Sequence, residues 1–459
     1  MREIVHVQIG QCGNGIGRAF WEEILYDHGL IQNGKVKMTR EEFNLRSQRT
    51  NVYFVESKIN KYVPRAILVD LDYRGIQEAL SPLHSHLFNK DNIIVGKTGA
   101  NGIWAKAYYT KEAEIEEKIL ERVRKEAEFC DLIQGIQIVH ALSGGTGSGL
   151  SSLLVPSLME EYSNKVLKSY SVMPTMNRLI NNNIAIINTV LTIPYLIDYI
   201  HETFCMDNET LSRSLYLPPM TNKFYNDQNR LISFVMSDIT ACLRFPGQLN
   251  TDLRKLLVNM VPFPRLHFLV PGHVPQMTSK KSSRSFYQMH HKMQIKELLQ
   301  QMFDSKSMFL DCNSKTGRFL TAAAIFRGSE ISPTLVDEKM LNIQNRAKIE
   351  QDNSSFVKWL ANNIKTAMCN IAPMSKYHLK MCATWLSNTT AIVEPLNQLS
   401  NHFESIFQRR QNLHHYISEG MEESQFLEAL DNLRFLISEY KKYQNAPIET
   451  NIVETLTPY

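Results

Sequence analysis

No stretch of the 459 residues holds about 18 uninterrupted apolar side chains, so no segment reads as a membrane-spanning helix and no membrane partner is expected. The chain starts Met1-Arg2-Glu3-Ile4, without a basic region followed by an apolar core, and a secretory leader is not expected. Its seven cysteines (Cys12, Cys130, Cys205, Cys242, Cys312, Cys369, Cys382) are odd in number, scattered and never spaced C-x-x-C. That pattern indicates neither a disulfide framework nor a zinc site, and a reduced cytoplasmic compartment follows as the expectation. An excess of one charge is missing as well. Fifty Lys and Arg against 46 Asp and Glu leave a formal +4, with no basic face interleaved with aromatics, so nucleic acid is not an expected partner. A hydrophobic content of 43% and a charged content of 21% are ordinary for a globular chain, and the length suggests two or three domains.

Against that plain background stands Ser143-Gly144-Gly145-Thr146-Gly147-Ser148-Gly149, set between an apolar run, Ile136 to Leu142, and helical spacing from about Leu150 (Leu150, Leu153, Leu154, Leu158). Glycines leave backbone amides uncovered, and Thr146 and Ser148 add hydroxyl donors. A loop of this kind opening onto a helix N-terminus is built to hold an anion such as phosphate. Gly144 to Gly149 fits G-x-x-x-x-G, but Leu150 stands where a Walker A loop demands lysine, so that motif is rejected. A flexible glycine linker is the alternative, weakened by the ordered patterns on both sides.

Glu3 to Ile9 reads as a strand running into Gly10-Gln11-Cys12-Gly13-Asn14-Gly15-Ile16-Gly17 and then an amphipathic helix (Ile16, Phe20, Ile24, Leu25). The dinucleotide fingerprint fails here by one place, because Arg18 occupies the third glycine position. Further strands are expected at Ala66 to Asp70, Leu167 to Met173 and Arg265 to Val270, with helices between most of them. Such alternation predicts an α/β fold, a parallel sheet covered on both faces with its ligand crevice at the strands' C-terminal ends. Asp70 and Asp72 close one strand, and either carboxylate suits a phosphate-bound magnesium; a solvated strand end is the equal alternative. Asp207 is read as a helix N-cap. Tyr225 to Leu243 reads as a long core helix, Leu320 to Phe326 and Lys380 to Leu386 as strands of a second, mixed domain, and the chain beyond about Asn388 as helices.

The loop matches the tubulin signature, and Gln8 to Gly13, Arg65 to Leu71, Arg124 to Glu128, Cys242 to Asn250 and Asn259 to Phe268 all resemble β-tubulin. The resemblance spans nearly the whole chain. It implies a GTP-binding domain over 1–205, an intermediate domain over 206–387 containing the core helix 225–243, and a C-terminal helical domain over 388–459. It also implies a GTP site with Gln11, Cys12, Ala141, Gly144, Gly145, Thr146 and Gly147 at the phosphate side. Asn208 and Asn229 would read guanine, Tyr225 would stack on it, and Asp72 would hold Mg²⁺. The implied partners are α-tubulin in a heterodimer and longitudinal and lateral neighbours in microtubules, with GTP turnover completed by the following α-subunit.

Several positions depart from the family. Gly15 stands where β-tubulins place glutamine beside the base, Gly102 where asparagine is usual, Ala141 where serine is, and Asp72 where glutamate is. The segment Asn181 to Ala185 has no counterpart of the ribose-contacting acids, and each lost contact is worth about 1–3 kcal/mol. Lys255 replaces the water-activating glutamate of α-type subunits, which marks the chain as β-type. The segment Thr278 to Met293 is a longer, more basic version of the lateral-contact loop, or a solvated insertion. The stretch Asn445 to Tyr459 carries only Glu449 and Glu454 as acids, unlike glutamate-rich tubulin tails, which lowers the expected affinity for basic microtubule-associated proteins. A pseudo-tubulin that binds α-tubulin without polymerising, and a nicotinamide-dependent oxidoreductase, are the competing readings; the missing fingerprint counts against the second.

Overall fold

The computed structural model describes residues 2–36, 46–58, 61–80, 86–109, 114–175, 182–215, 222–245, 252–275, 295–312, 317–329, 331–349, 364–373 and 379–445. The loop 278–293, the residues after 445 and Asn181 therefore lie outside the described residues.

The strands are β1 (Glu3–Ile9), β2 (Phe54–Lys58), β3 (Lys61–Pro64), β4 (Ala66–Asp70), β5 (Ile93–Val95), β6 (Ile133–Ala141), β7 (Val166–Met173), β8 (Glu202–Asp207), β9 (Phe268–Val274), β10 (Phe319–Gly328), β11 (Ile364–Cys369) and β12 (Met381–Thr389). The helices are α1 (Gly10–Asp27), α2 (Tyr73–Ala79), α3 (Trp104–Tyr108), α4 (Glu114–Glu128), α5 (Ser151–Glu161), α6 (Asn183–Tyr199), α7 (Asn208–Leu215), α8 (Asn222–Arg244), α9 (Leu253–Met260), α10 (Ile295–Met302), α11 (Pro333–Ile349), α12 (Val393–Gln408), α13 (His414–Ile417) and α14 (Glu423–Gln444). Ten strands form one sheet in the order β11-β10-β12-β9-β8-β7-β6-β1-β4-β5, and β2 pairs with β3 apart from it.

From β5 to β9 every pairing is parallel, and β12 then joins β9 and β10 antiparallel. Strands flanked on both faces must be buried on both, which is why β1 is buried along its whole length. Its alternate residues part to opposite faces. Val5, Val7 and Ile9 join a core with Trp104, Leu154, Ile186, Leu396 and Phe426. Ile4 faces a second core built by Ile16, Phe20 and Trp21 of α1 and Leu231, Val235 and Ile239 of α8. The core helix runs Asn222–Arg244, slightly longer than the expected 225–243.

A buried charge network fastens α1 to α8 and the distal half of the sheet. Asp27 Oδ2 accepts from Arg244 Nη2 at 2.9 Å and from Ser237 Oγ at 2.7 Å, and Asp27 Oδ1 accepts from Arg327 Nη2 at 3.0 Å. Arg327 Nη1 also donates to Asp238 Oδ1 at 2.9 Å.

The strand expected over Arg265 to Val270 begins later, at Phe268, because Leu266 N–H closes a turn on Phe263 O at 2.9 Å. The helix after the glycine loop begins earlier than expected. A π-helical turn over Thr146–Leu150 runs directly into α5, so Gly147 and Gly149 lie inside the first helical turns, with Gly145 capping them and Gly144 just before.

Candidate functional site

At the C-terminal ends of β1, β4 and β6 the sheet opens into a cavity of about 870 Å³. Its walls are the β1–α1 turn (Ile9 to Cys12), the β4–α2 turn (Asp70 to Gly75) with Glu78, the loop Gly96 to Gly102, and Ala141 with Ser143 to Gly147. Two glycine turns meet there. Gly10 has φ +75, and a Cβ on it would lie 3.0 Å from Gly147 N, so only glycine lets the two turns close on each other.

The phosphate-binding candidate is held from behind by buried polar groups. His140, pushed down to about 4 by burial, is a neutral imidazole; its Nδ1–H donates to Gly147 O at 2.9 Å and its Nε2 accepts from Ser171 Oγ at 2.8 Å. Asn188, fully buried on α6, donates from Nδ2 to Gly102 O at 2.8 Å and to Ser143 O at 2.9 Å. Its Oδ1 accepts from Trp104 N at 3.0 Å and from Tyr416 Oη at 2.7 Å, so one side chain bolts two cavity walls to α3 and α13. Ser148 differs from expectation: its hydroxyl donates to Gly144 O inside the helix rather than facing the cavity.

Of the two carboxylates at the end of β4, Asp72 is exposed and caps α2, its Oδ1 accepting from Arg74 N–H at 3.0 Å. Asp70 is 3% exposed. Its Oδ1 accepts from Asp72 N–H at 3.2 Å, while Oδ2 is buried with no hydrogen-bond partner. Burial pushes its carboxyl up to about 6, and the neighbouring Asp72 charge adds to the rise. A buried carboxylate oxygen without a partner, on a wall of this glycine-rimmed cavity, fits a hard dication such as Mg²⁺. When bound, such an ion neutralises phosphate charge; the residues on hand to hold it are Asp70 and, at the rim, Asp72.

The expected phosphate-side residues Gln11, Cys12, Ala141, Gly144, Gly145, Thr146 and Gly147 all line the cavity. Gln11 Nε2 donates to Glu78 Oε2 at 3.4 Å, and the Cys12 thiol, pushed up to about 12 by burial, stays protonated. Of the residues expected on the base side, Asn229 lies about one helical turn further along α1, beside Gly15. Asn229 Nδ2 lies 3.0 Å from where a Cβ on Gly15 would be, and Asn208 O accepts from Gln228 Nε2 at 2.6 Å, so α7 and α8 meet beside Gly15. Tyr225, 61% exposed near the start of α8, is not among the cavity's lining residues, nor are Asn208 and Asn229. Arg18 bridges this end, donating to Asn226 Oδ1 at 2.6 Å and to Glu78 O at 3.3 Å. Sequence reasoning missed Asn188; an amide in the middle of the apolar run Ile184 to Leu196 was its signal.

Residues 3–216 match the Tubulin/FtsZ family GTPase domain, and residues 264–401 match the tubulin C-terminal domain. The two glycine turns, the cavity and the parallel half of the sheet fall within the first match; β9, β10, β11 and β12 fall within the second. On these matches and this α/β fold, the chain belongs to the tubulin family, and its GTPase domain implies that the cavity binds GTP.

Proposed function

We propose that this chain is a β-type tubulin subunit of the cytoplasm, which binds GTP with Mg²⁺, pairs with α-tubulin and enters microtubules. The observation that carries the β-type reading is Lys255, exposed on α9 beside Arg254 and next to Val258, which is 72% exposed. A helix face that shows an apolar side chain among cations fits a surface covered on assembly. An ammonium has no lone pair with which to take a proton from water, so a subunit presenting lysine there leaves the neighbour's GTP intact. Lys255→Glu is expected to raise hydrolysis of that neighbour's GTP by about 10²-fold, the usual contribution of a placed general base. Phosphate release from assembled polymer measures it, and an unchanged rate would remove Lys255 from the interface.

The reading as a whole is tested by purifying the chain with α-tubulin, denaturing the pair and counting guanine nucleotides before and after assembly. Two per heterodimer, with one converted to GDP on assembly, is the expected result. One per heterodimer, always GTP, would replace it with the pseudo-tubulin reading, in which only the α-subunit's site is filled.

Asp70 supplies a further prediction. Its carboxyl titrates near 6 in the free site, so below that pH a proton competes with Mg²⁺ for the same oxygen. Below about pH 6 the Mg²⁺ concentration needed to retain GTP should rise about tenfold per pH unit more steeply than in Asp70→Asn, where only the nucleotide's own phosphate protonation remains. Fluorescent-nucleotide titrations across pH measure this; equal slopes in both proteins would assign the ion to Asp72.

A further inference from the structure

Away from the nucleotide cavity, one carboxylate oxygen faces more donors than its two lone pairs can serve. Asp238 Oδ2, on α8, lies 2.7 Å from Thr384 Oγ1, 3.4 Å from His273 Nε2 and 3.5 Å from Cys382 Sγ. The threonine makes a good hydrogen bond. His273 stands well beyond the roughly 2.7–2.9 Å of a charge-assisted one, so the imidazole and carboxylate lie side by side without closing. Asp238, His273 and Cys382 are only 2%, 3% and 1% exposed, and their ligand atoms all lie within 4.8 Å of one another.

The 3.4 Å gap to His273 and the 3.5 Å thiol contact of Cys382 also have a second geometric reading. Bonds of about 2.1 Å to oxygen, 2.05 Å to nitrogen and 2.3 Å to sulfur, set at tetrahedral angles, place oxygen about 3.4 Å from nitrogen and about 3.6 Å from sulfur. The observed 3.4 and 3.5 Å match the two edges that include oxygen, and His273 Nε2 and Cys382 Sγ lie within 4.8 Å of each other. The geometry points to a zinc site formed by Asp238, His273 and Cys382, held between the core helix α8 and the strands β9 and β12. A mixed oxygen, nitrogen and sulfur set suits this borderline cation: Mg²⁺ and Ca²⁺ avoid sulfur, and Cu(I) favours thiolate and thioether.

Binding proceeds with the charges accounted for. Zn²⁺ displaces the Cys382 thiol proton, which leaves to solvent, and bonds to the thiolate. His273 ligates as neutral imidazole through Nε2, and its proton resides on Nδ1, which has no hydrogen-bond partner. Asp238 bonds through Oδ2 while Oδ1 keeps its 2.9 Å contact with Arg327, the outer partner that orients the carboxylate. The Thr384 hydroxyl keeps its 2.7 Å hydrogen bond to the ligating oxygen Asp238 Oδ2 and orients it. The site ties the core helix to two strands of the distal half, so zinc should stabilise the folded chain by binding it and not the unfolded one.

The ligands come from three elements far apart in sequence, and for that reason no spacing motif announces them. The test uses the full chain with whatever partner it purifies with, equilibrated in buffered zinc and freed of loosely held metal. Native protein is expected to retain one zinc ion more per chain than Cys382→Ser, and X-ray absorption at the zinc edge should show one sulfur neighbour with nitrogen and oxygen. Chelation should lower the melting temperature of native protein and leave that of Cys382→Ser unmoved. Cobalt in place of zinc should show a thiolate-to-metal charge-transfer band that the serine variant lacks. Equal zinc content in both proteins, or an absorption spectrum without sulfur, overturns the site. If Cys382→Ser does not fold, the absorption spectrum of native protein decides alone.

Discussion

Asp27→Ala is expected to cost about 3–5 kcal/mol of stability, a large share of what a folded domain has. Asp27 ends α1 with no exposed surface and accepts hydrogen bonds from Arg244, Arg327 and Ser237. Arg244 and Arg327 are also fully buried, and Asp238 is the only other carboxylate salt-bridged to either guanidinium among the described residues. Removing Asp27 leaves two buried cations facing one anion, and neither guanidinium can shed its proton to escape. Stacking on Phe245, 4.8 Å from Arg244 and 5.6 Å from Arg327, offsets little of that loss. Asp27→Asn keeps an acceptor oxygen and should lose less, about 1–3 kcal/mol.

The same carboxylate sets the sign of an acid limb. Burial alone would push its pKa up, but Arg327 and Arg244 override burial and hold it far below the usual carboxylate range. A group depressed on folding stabilises fully above its unfolded pKa, about 3.9, and loses that contribution as pH falls toward the folded value. Wild-type stability should therefore drop below about pH 4 more steeply than that of Asp27→Ala, with no difference in slope near pH 7. Thermal or denaturant unfolding at both pH values measures both effects; a variant melting within a degree of wild type would mean the arginines find other partners.

The fold was legible where apolar spacing was uninterrupted and hidden where burial rests on polar pairing. β1, β4 and β7 are continuous apolar or mixed runs between turn residues and lie where their spacing puts them, within a residue; β6 starts at Ile133, three residues before the apolar run from Ile136. β8 was not read as a strand. Its sequence Glu202-Thr-Phe-Cys-Met-Asp207 looks like a helix approach, yet every residue is buried, Glu202 opposite Lys168 of β7. Burial pushes Glu202 up and Lys168 down, a cost that only their proximity offsets, and no local pattern signals such a partner 34 residues away. Asp207 was read correctly as a cap: its Oδ1 accepts from Glu209 N–H at 3.1 Å.

The site divides in the same way. The glycine loop is local chemistry, and the sequence places it correctly at the mouth of the sheet. Which of Asp70 and Asp72 keeps a buried, unpartnered oxygen depends on how closely α2 approaches. A Cβ on Gly75 would meet Asp70 Oδ2 at 2.0 Å, a constraint invisible without coordinates. Asn188 and the Asp238, His273 and Cys382 cluster belong to contacts between distant segments and leave only weak traces in the linear chain.

The loop's orientation toward phosphate is tested by two neighbouring glycines, of which one should lose GTP binding alone and the other both stability and binding. A Cβ on Gly144 meets nothing within 4 Å, so the fold has room for alanine there, yet Gly144 lines the cavity and the methyl enters space that phosphate would fill. Gly144→Ala is expected to melt like wild type and to bind GTP about 10–100-fold more weakly, a loss of about 1.4–2.7 kcal/mol. Gly145 faces the other wall. Its Cβ would lie 2.5 Å from Ile103 N and 2.7 Å from Gly102 C, both backbone atoms that cannot swing aside. Alanine there must push the 96–102 loop outward and strain the Asn188 bonds to Gly102 O and Ser143 O, so Gly145→Ala should lose about 1–3 kcal/mol of stability along with GTP. Melting curves and fluorescent-GTP titrations on the two variants separate packing from binding. If Gly144→Ala bound GTP as tightly as wild type, phosphate would not pass over Gly144, and the loop's role would be to close the sheet rather than to hold the nucleotide.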